Sequence, residues 1–350
     1  MRKALLNVSV GILARNEEAG IAQVIDDLRQ QTLLTEGDLR VQVHVVANAC
    51  TDRTVEVARQ SFDAGKFAQL GVDATVHELL QGGKSNAWNE FIHRIVPDAT
   101  DFVILLDGDI RIPERRSLKL MVQELAASPN AVVAVDRSVK DIELEQPSGL
   151  VEKLIKFATG TATDPRTAIA GACYCVRYSE VRRIWMPIGL PGEDGFLRAM
   201  LLTSNFEQSE KLDRLLFVEG AYHVFESMRD LGGVVRHNVR LAIGTAVNIL
   251  LFDHIRQLRE QGVDVSAYVR RRNDEDPGWV NNLIRDRMQA SYFPLEARFV
   301  SRRLRRMRNS PAQARTLRSC AVAILGAGFD LVVFLRATML MRKGAGAGYW

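Results

Sequence analysis

The segment Phe102–Asp109 constrains the fold and the function of this chain more than any other stretch. It begins with five apolar residues, a run too short for a typical helix and characteristic of a strand buried on both faces of a parallel sheet. Two carboxylates, Asp107 and Asp109, follow directly and are separated by one glycine. Because ligands of open α/β sheets bind beyond the carboxyl ends of the strands, the segment predicts that both aspartates lie at a ligand crevice.

The chemistry of these two aspartates points to a divalent cation. Carboxylate oxygens are hard donors, and Mg²⁺ and Mn²⁺ are usually held by one or two carboxylates together with substrate phosphates. A solvated acidic turn is the alternative, since Asp-Gly is common in turns. Asp107 and Asp109 are therefore candidate metal ligands whose neighbours in the fold must decide between the two interpretations.

Length and composition allow one large domain with an appendage, or two domains. The net charge of +4 over 350 residues is modest, and the basic character comes from a local cluster of arginines. Four scattered cysteines lack the spacing of a zinc site, so we expect reduced thiols in a cytosolic compartment. The apolar part of the N-terminus is too short for a signal peptide, and we expect this region of the chain not to be exported. The cysteines are Cys50, Cys173, Cys175 and Cys320.

Strand and helix patterns alternate through residues 1–231. This alternation predicts a mostly parallel α/β sheet, flanked by helices and joined by right-handed crossovers. Asn16 is a plausible N-cap for the first helix, with Glu17 and Glu18 in its first turn. We also expect helices over 118–127 and 150–158, a loop around 163–165, and a helix that begins at Glu193. The expected strands lie at 8–13, 41–46, 74–77, 102–107, 131–135, 168–176 and 217–224.

Residues 232–350 form a second region, which we expect to be mostly helical. Residues 239–251 and 320–335 read as apolar helices, and eight arginines lie between Arg298 and Arg318 without acidic partners. An arginine-rich segment beside an apolar helix suits contact with an anionic membrane surface. The alternative is that the two apolar helices pack on each other as a subdomain or dimer surface. Nucleic acid is not expected as a partner, since no aromatic residues alternate with the arginines.

The apolar run 320–335 is unlike an ordinary membrane span. It approaches the roughly 20 residues that a spanning helix needs only if Asp330 and Arg336 are included, which is costly in a bilayer. We therefore expect contact with the membrane surface, and a cytoplasmic protein that associates peripherally with the cytoplasmic membrane.

Five segments, in this order, resemble the motifs of the inverting GT-A glycosyltransferases of family 2. The first departs from the family's P-x-x-N-E-E motif by lacking the proline, and the second has Ala49 in place of a glycine. The resemblance covers about residues 8 to 245, and the last hundred residues carry no family signature. The segments are Leu13–Glu18, Val45–Thr54 (V-V-x-N-G-C-T-D-x-T in the family), Gly83–Asn89 (G-K-x-x-A-x-N), Asp107–Asp109 and Glu193–Asp194.

The resemblance implies a GT-A fold, Rossmann-like with a mostly parallel sheet flanked by helices, to which a C-terminal helical extension is added. It also implies a nucleotide-sugar site, in which Asp109 and Asp107 hold Mg²⁺ or Mn²⁺ and His223 contributes to the metal or the diphosphate. Asp194, beside Glu193, is implied as the general base that takes the proton of the acceptor hydroxyl. The residues implied for the nucleotide sugar are Ala14, Arg15, Glu17, Asn48, Asp52, Lys84 and Asp107.

Each of these residues also has a purely structural interpretation. Asn48 and Asp52 favour turns and helix caps, a first-turn Glu17 or Lys84 needs no function, and Glu193-Asp194 could cap a helix. A lone histidine such as His223 is more often a packed or hydrogen-bonded structural residue. These alternatives stay open at the level of the sequence.

One departure from the family bears on the product. Members that polymerise sugars carry a Gln-x-x-Arg-Trp signature, whereas the corresponding segment here, Val234–Arg240, has no tryptophan. The prediction is therefore the transfer of one sugar per acceptor, from a UDP-sugar as the commonest donor in the family, to a lipid, lipid-linked or glycan acceptor.

Three other functions compete with this one. A non-catalytic scaffold on a transferase fold conflicts with the presence of Asp107, Asp109 and Asp194. A sugar nucleotidyltransferase needs a basic, glycine-rich first loop, whereas Ala14–Glu18 is acidic. A phosphohydrolase of the haloacid dehalogenase type would carry Thr or Val where this chain has Arg111.

Overall fold

The computed structural model describes residues 5–144, 166–227, 230–290, 298–309 and 317–344. The helix predicted over 150–158, the loop predicted around 163–165 and the side chain of Arg315 lie outside the described residues.

A seven-stranded sheet with the order β3-β2-β1-β4-β6-β5-β7 organises the molecule. β6 runs antiparallel to its neighbours β4 and β5, and the other neighbouring strands pair in parallel, which confirms a mostly parallel sheet. The strand predicted over 168–176 is shorter than expected. The strands are β1 Leu6–Ala14, β2 Leu39–Asn48, β3 Asp73–Leu79, β4 Phe102–Asp107, β5 Val133–Lys140, β6 Cys173–Arg177 and β7 Leu215–Phe225.

β4 lies at the centre of the sheet, and its side chains alternate between two hydrophobic clusters. Val103 and Leu105 belong to one cluster, and Ile104 and Leu106 belong to the other. Successive side chains of a strand point to opposite faces, so an unbroken apolar run is what a strand covered on both faces requires. Asp107 ends this run at the carboxyl edge of the sheet, as predicted.

Helices cover both faces of the sheet. The first helix begins at Ile21 and not at Asn16, so the predicted N-cap is wrong. Asn16 has a φ of 56°, and its Oδ1 accepts a hydrogen bond from the Thr51 backbone N–H at 2.8 Å, which ties two loops together. The helices are α1 Ile21–Arg29, α2 Thr32–Thr35, α3 Thr54–Ala64, α4 Lys84–Glu90, α5 Ser117–Ala127, α6 Asp141–Leu144, α7 Tyr178–Val181 and α8 Glu193–Leu202, with short 3₁₀ turns at Phe67–Leu70 and Leu212–Arg214 and a π-helical turn at Phe91–Ile95.

The C-terminal region is helical, as predicted. Val239, Ile243, Val247 and Leu251 recur every four residues on its first helix, and they are buried in the same hydrophobic cluster as Leu105 of β4. The core is therefore continuous from the sheet into this region. The helices are α9 Leu231–Glu260, α10 Val265–Glu275, α11 Trp279–Ala290, α12 Arg298–Asn309 and α13 Leu317–Arg342.

α13 packs through one face only. Val333, Phe334, Ala337 and Met341 are buried, whereas the face with the largest exposed side chains, such as Leu325 at 76 % exposure, is open. Over Val322–Arg342 the helix is long and apolar enough to cross a membrane, with 33 % of its most apolar window buried.

Asp330 lies on the packed face of α13. It is fully buried, and its carboxylate accepts a hydrogen bond from Arg303 Nε of α12 at 3.0 Å. The carboxylate is thus paired, which is the condition under which a buried charge is tolerated.

Candidate active site

Three charged side chains from three separate elements meet at the carboxyl edge of the sheet. Lys84 Nζ lies 2.8 Å from Asp107 Oδ1 and 3.2 Å from Glu193 Oε1. Lys84 is the first residue of α4, Asp107 the last residue of β4, and Glu193 the first residue of α8. We call these three residues the edge network. About a quarter of the Lys84 and Asp107 side chains is exposed, so the network is open to a ligand.

The edge network carries one positive charge between two carboxylates. Burial disfavours the charged lysine, but the Asp107 and Glu193 carboxylates outweigh that cost and raise the pKa of Lys84. Burial also raises the pKa of Asp107, as do the neighbouring Asp109 and Glu193, against the opposing effect of Lys84. The lysine therefore stays charged and holds two carboxylates that would otherwise repel each other.

Asp194 follows Glu193 in the first turn of α8. Its Oδ1 accepts a hydrogen bond from the Gly195 backbone N–H at 2.7 Å. Burial and the Glu193 carboxylate raise the pKa of Asp194, whereas Gly195, Lys84 and Arg240 oppose the rise. A carboxylate with a raised pKa beside an open edge is suited to accept a proton.

Helix α9 supports the start of α8 through close backbone packing. Asn248 Nδ2 donates a hydrogen bond to the Gly192 carbonyl oxygen at 2.8 Å. A Cβ atom on Gly244 would lie 2.8 Å from the Pro191 carbonyl oxygen, so only glycine allows this approach. The loop that precedes Glu193 is thereby held against the C-terminal region.

Arg240 lies one turn before Gly244 on α9 and was not predicted as a site residue. Burial lowers the pKa of Arg240, against the carboxylates of Glu193, Asp194 and Asp107, which favour its charge. Only the packing of α9 on α8 brings this arginine to the site, and the sequence offered no signal beyond its place in the segment 234–240.

A small cavity beneath the edge network has mostly apolar walls. Besides the edge network, its polar lining residues are Asp194 and Tyr174. The Tyr174 hydroxyl oxygen accepts a hydrogen bond from Trp88 Nε1 at 2.8 Å. Apolar walls keep the local dielectric low and so strengthen the charges of the network. The other lining residues are Leu13, Leu105, Leu106, Gly171, Met186 and Leu197.

Glu17 joins Asp107 and Asp109 in an acidic group beside the edge network. Burial, followed by the charges of Asp109, Asp107 and Asp52, raises the pKa of Glu17 to about 7. Gly108 allows this proximity, because a Cβ atom there would lie 3.0 Å from Ala14 Cβ and 3.3 Å from Glu17 Cγ. Asp109 itself is exposed.

This acidic group fits a divalent cation. The ligands on offer are carboxylate oxygens, which Mg²⁺ and Mn²⁺ prefer. After burial, the charges of Asp109, Asp107 and Asp52 contribute to the raised pKa of Glu17, and a cation would relieve that repulsion. Asp107, at the end of β4, and Asp109, in the loop that follows, are the carboxylates that could hold the ion.

The predicted nucleotide residues sit at neighbouring strand ends. Asn48 is buried, and its Oδ1 accepts a hydrogen bond from the Gly83 backbone N–H at 2.9 Å. Asp52 accepts hydrogen bonds from the backbone N–H groups of Thr54 and Glu18 at 3.0 and 3.1 Å. Through these hydrogen bonds both side chains stabilise the loops, independently of any ligand that they bind.

Ala14 ends β1 on the same edge, and Arg15 follows it. Ala14 is buried and Arg15 is exposed, so the arginine is accessible to a ligand. The structure thus brings the residues predicted for the nucleotide sugar to one edge, and it adds Arg240 to them.

His223 lies elsewhere. It is fully buried on β7, and its Nδ1 is 2.9 Å from both carboxylate oxygens of Asp136. The carboxylate that His223 contacts in the described part of the chain is thus Asp136, and the structure does not bring His223 to the predicted metal ligand Asp109.

A family model matches the larger part of the α/β region. Residues 9–182 match the model of the family described as glycosyl transferase family 2. A mannosyltransferase from Pyrobaculum calidifontis, solved with GDP-Man and Mn²⁺, shares the fold with a TM-score of 0.54 at 15 % identity, over 99 % of this chain and 88 % of that chain. No curated protein matches the sequence.

Two further solved structures are more distant. S. aureus TarS 1-349, in complex with UDP, gives a TM-score of 0.48 at 15 % identity, over 97 % of this chain and 92 % of that chain. Glucosyl-3-phosphoglycerate synthase from Mycobacterium tuberculosis gives 0.44 at 17 % identity, over 70 % and 79 %. At these values neither structure adds to the argument.

Proposed function

Because the chain belongs to glycosyl transferase family 2, we propose that it moves one sugar from a nucleotide-sugar donor to an acceptor hydroxyl, with inversion at the anomeric carbon. The observation that carries the proposal is the edge network, which sets Lys84 and Asp107 beside the Glu193-Asp194 pair. A donor diphosphate and an acceptor hydroxyl need a cation, a metal ligand and a base within reach of one another, and these residues supply them.

The donor would lie along the ends of β1, β2 and β4. Asn48 and Asp52 offer hydrogen-bonding groups for the nucleotide base, and Ala14, Arg15 and Glu17 border the same loop. Lys84 is placed to contact a phosphate, because its ammonium group is already charged and partly exposed. The base could be uracil or guanine, so both UDP-sugars and GDP-sugars belong among the donors to test.

Asp107 and Asp109 would hold Mg²⁺ or Mn²⁺ at the diphosphate. When bound, such an ion neutralises the charge that develops on the leaving diphosphate, a contribution worth several kcal/mol. Lys84 keeps Asp107 ionised and oriented for this task.

Asp194 would act as the general base of a single displacement. The acceptor oxygen forms its bond to the anomeric carbon from the side opposite the diphosphate, and the bond to the phosphate oxygen breaks with its electron pair. The acceptor proton passes to the Asp194 carboxylate. Glu193, held by Lys84, would position this first turn of α8.

A donor panel tests the proposal. Purified protein is incubated with Mn²⁺ or Mg²⁺ and each of several UDP-, GDP- and dTDP-sugars, and nucleotide diphosphate release is followed with and without a bacterial lipid extract. We expect metal-dependent release from one donor, lost in Asp109→Ala and Asp194→Asn and kept in Asp213→Asn, which alters an exposed carboxylate. Donor binding by calorimetry without turnover would instead favour the non-catalytic scaffold.

We also propose that the acceptor is a lipid or lipid-linked sugar and that the protein docks on the cytoplasmic face of a membrane. The open face of α13 carries Ile324, Leu325, Val332 and Leu335 at 52 % exposure or more, next to the arginine-rich α12. Apolar side chains entering the interface beside cationic side chains are what binding to anionic lipid requires.

Flotation with lipid vesicles tests the docking. We expect the protein to float with vesicles that contain phosphatidylglycerol and less with phosphatidylcholine alone. Leu325→Asp should abolish flotation, whereas Leu212→Asp, at an exposed leucine of the α/β region, should not. Equal recovery of both variants would argue against docking through α13, and lipid-independent turnover would leave the enzyme assignment standing without the lipid acceptor.

A further inference from the structure

Beneath the sheet, away from the edge network, three potential metal ligands come together from three strands. They are Asp136 of β5, Cys173 of β6 and His223 of β7, and each is at most 2 % exposed. One donor atom from each residue lies within 4.8 Å of the other two. We call this group the buried cluster.

The strand pairing shows that the buried cluster is separate from the Asp109 site. Cys173 pairs with Leu106 of β4 and belongs to the hydrophobic cluster of Ile104 and Leu106. Asp107, one residue further along β4, faces the opposite side with Lys84. The two groups of ligands therefore lie on opposite faces of the same sheet.

The spacing within the buried cluster suits a shared ion. His223 Nδ1 lies 2.9 Å from both carboxylate oxygens of Asp136, close to the separation of two ligand atoms that hold one zinc ion. His223 Nε2, on the far side of the ring, is buried and has no hydrogen-bond partner in the described part of the chain. Nδ1 is therefore the ring nitrogen that an ion shared with Asp136 would take.

The types of ligand indicate which ion would bind. Thiolate and imidazole favour zinc and similar transition metals, whereas Mg²⁺ and Mn²⁺ favour oxygen alone. One divalent ion with an aspartate, a thiolate and a neutral imidazole has no net charge, which suits a dry interior. Binding would exchange the proton of the Cys173 thiol for the ion.

We propose that Asp136, Cys173 and His223 supply three ligands of a site for one zinc ion, distinct from the cation of the active site. The ion would link β5, β6 and β7. It would thereby hold β6 in place, and β6 pairs with β4, the strand that carries Asp107. The proposal does not depend on the transferase activity.

Metal analysis of the full chain tests the proposal. To remove other accessible thiols, Cys50→Ser and Cys320→Ser form the background, and the protein is purified without added metal. We expect about one zinc per chain, and a thiolate-to-metal charge-transfer band when Co²⁺ replaces it. Cys173→Ser and His223→Gln should each lower zinc affinity by at least about tenfold.

Two controls separate this site from its surroundings. Cys175→Ser alters the buried cysteine two residues along β6, outside the cluster, and should keep both the zinc and the cobalt band. Asp109→Ala removes the candidate ligand of the active site and should also keep the zinc. If Cys173→Ser does not fold, the cobalt band of the parent and of Cys175→Ser decides.

Three results would overturn the proposal. They are a parent protein with neither zinc nor a cobalt band, a folded Cys173→Ser variant with unchanged zinc affinity, and loss of the zinc in Asp109→Ala.

Discussion

The edge network and the buried cluster are two polar groups on opposite faces of the same sheet, and they differ in their access to solvent. Lys84 and Asp107 keep about a quarter of their side chains exposed, whereas Asp136 and His223 have none. A partly exposed ion pair can exchange partners with a substrate. A dry hydrogen-bonded cluster cannot, so it contributes to the structure instead.

Successive side chains of β4 and β6 point to opposite faces of the sheet, and this alternation separates the edge network from the buried cluster. Leu105 pairs with Tyr174 and packs in the hydrophobic cluster on one face, while Leu106 pairs with Cys173 and packs in the cluster on the other face. A shift of one residue in the register would exchange the two faces. Substitutions in the edge network should therefore change activity most, and substitutions in the buried cluster should change stability most.

The largest effect is expected from Asp194→Asn. If Asp194 is the general base, kcat should fall by about 10²–10⁴-fold, because the amide cannot accept the proton. The melting temperature should stay close to that of the parent. Asp213→Asn is the matched control, and near-parental kcat in Asp194→Asn would assign the base to another group.

Lys84→Met should affect both activity and stability. Asp107 and Glu193 would face each other without a cation, and we expect kcat/KM to fall by roughly tenfold or more, since preorganised charge is lost. The free energy of unfolding should fall by about 1–2 kcal/mol, discounted for partial exposure.

The pH dependence of the destabilisation in Lys84→Met tests whether the loss of charge pairing causes it. In urea titrations the destabilisation should shrink as the pH falls through the raised pKa of Asp107, because the protonated acid no longer needs a cation beside it. Lys211→Met, at an exposed lysine, should change nothing. A pH-independent loss in Lys84→Met would point to packing and not to charge.

His223→Ala should mainly affect stability. It leaves the buried Asp136 carboxylate without its imidazole partner, which should cost about 2–3 kcal/mol of unfolding free energy. Under stabilising conditions kcat/KM of the folded fraction should stay within about twofold, far from the effect of a lost general base or acid. A selective loss of Mn²⁺-dependent activity in folded His223→Ala would return His223 to the catalytic metal.

An effect on the pH dependence of stability alone concerns His44, away from both groups. Burial, and secondarily the neighbouring His77, lowers the pKa of His44 to about 4. Between pH 4 and 6.5 the His44 imidazole binds a proton more readily in the unfolded chain than in the folded one. The stability is therefore full above pH 6.5 and falls as the pH drops toward 4. The slope is at most about 1.4 kcal/mol per pH unit.

The variant His44→Gln removes that proton. Its unfolding free energy should depend less on pH than the parent's between pH 4 and 6.5, and the two curves should run parallel above pH 7. Identical slopes in the acidic range would show that His44 does not carry the pH dependence.

Local sequence predicted the positions of the charged residues along the sheet edge. Asp107 ends an apolar strand and Glu193 begins a helix, and both features are readable because each depends on residues within one element. The parallel character of the sheet followed from the alternation of strands and helices. Asn16 was misplaced because its amide bonds to Thr51, 35 residues away in sequence, in competition with a local cap.

What the sequence alone determined is therefore the set of elements, the family motifs and the edge on which they end. The tertiary structure decided which side chains meet. The antiparallel insertion of β6 brings Cys173 to Asp136 and His223, the packing of Gly244 on Pro191 brings Arg240 to Asp194, and Arg303 pairs with the buried Asp330. The physical reason is that hydrophobic periodicity specifies which face of an element is buried but not its neighbour, and such pairings form only when whole elements pack together.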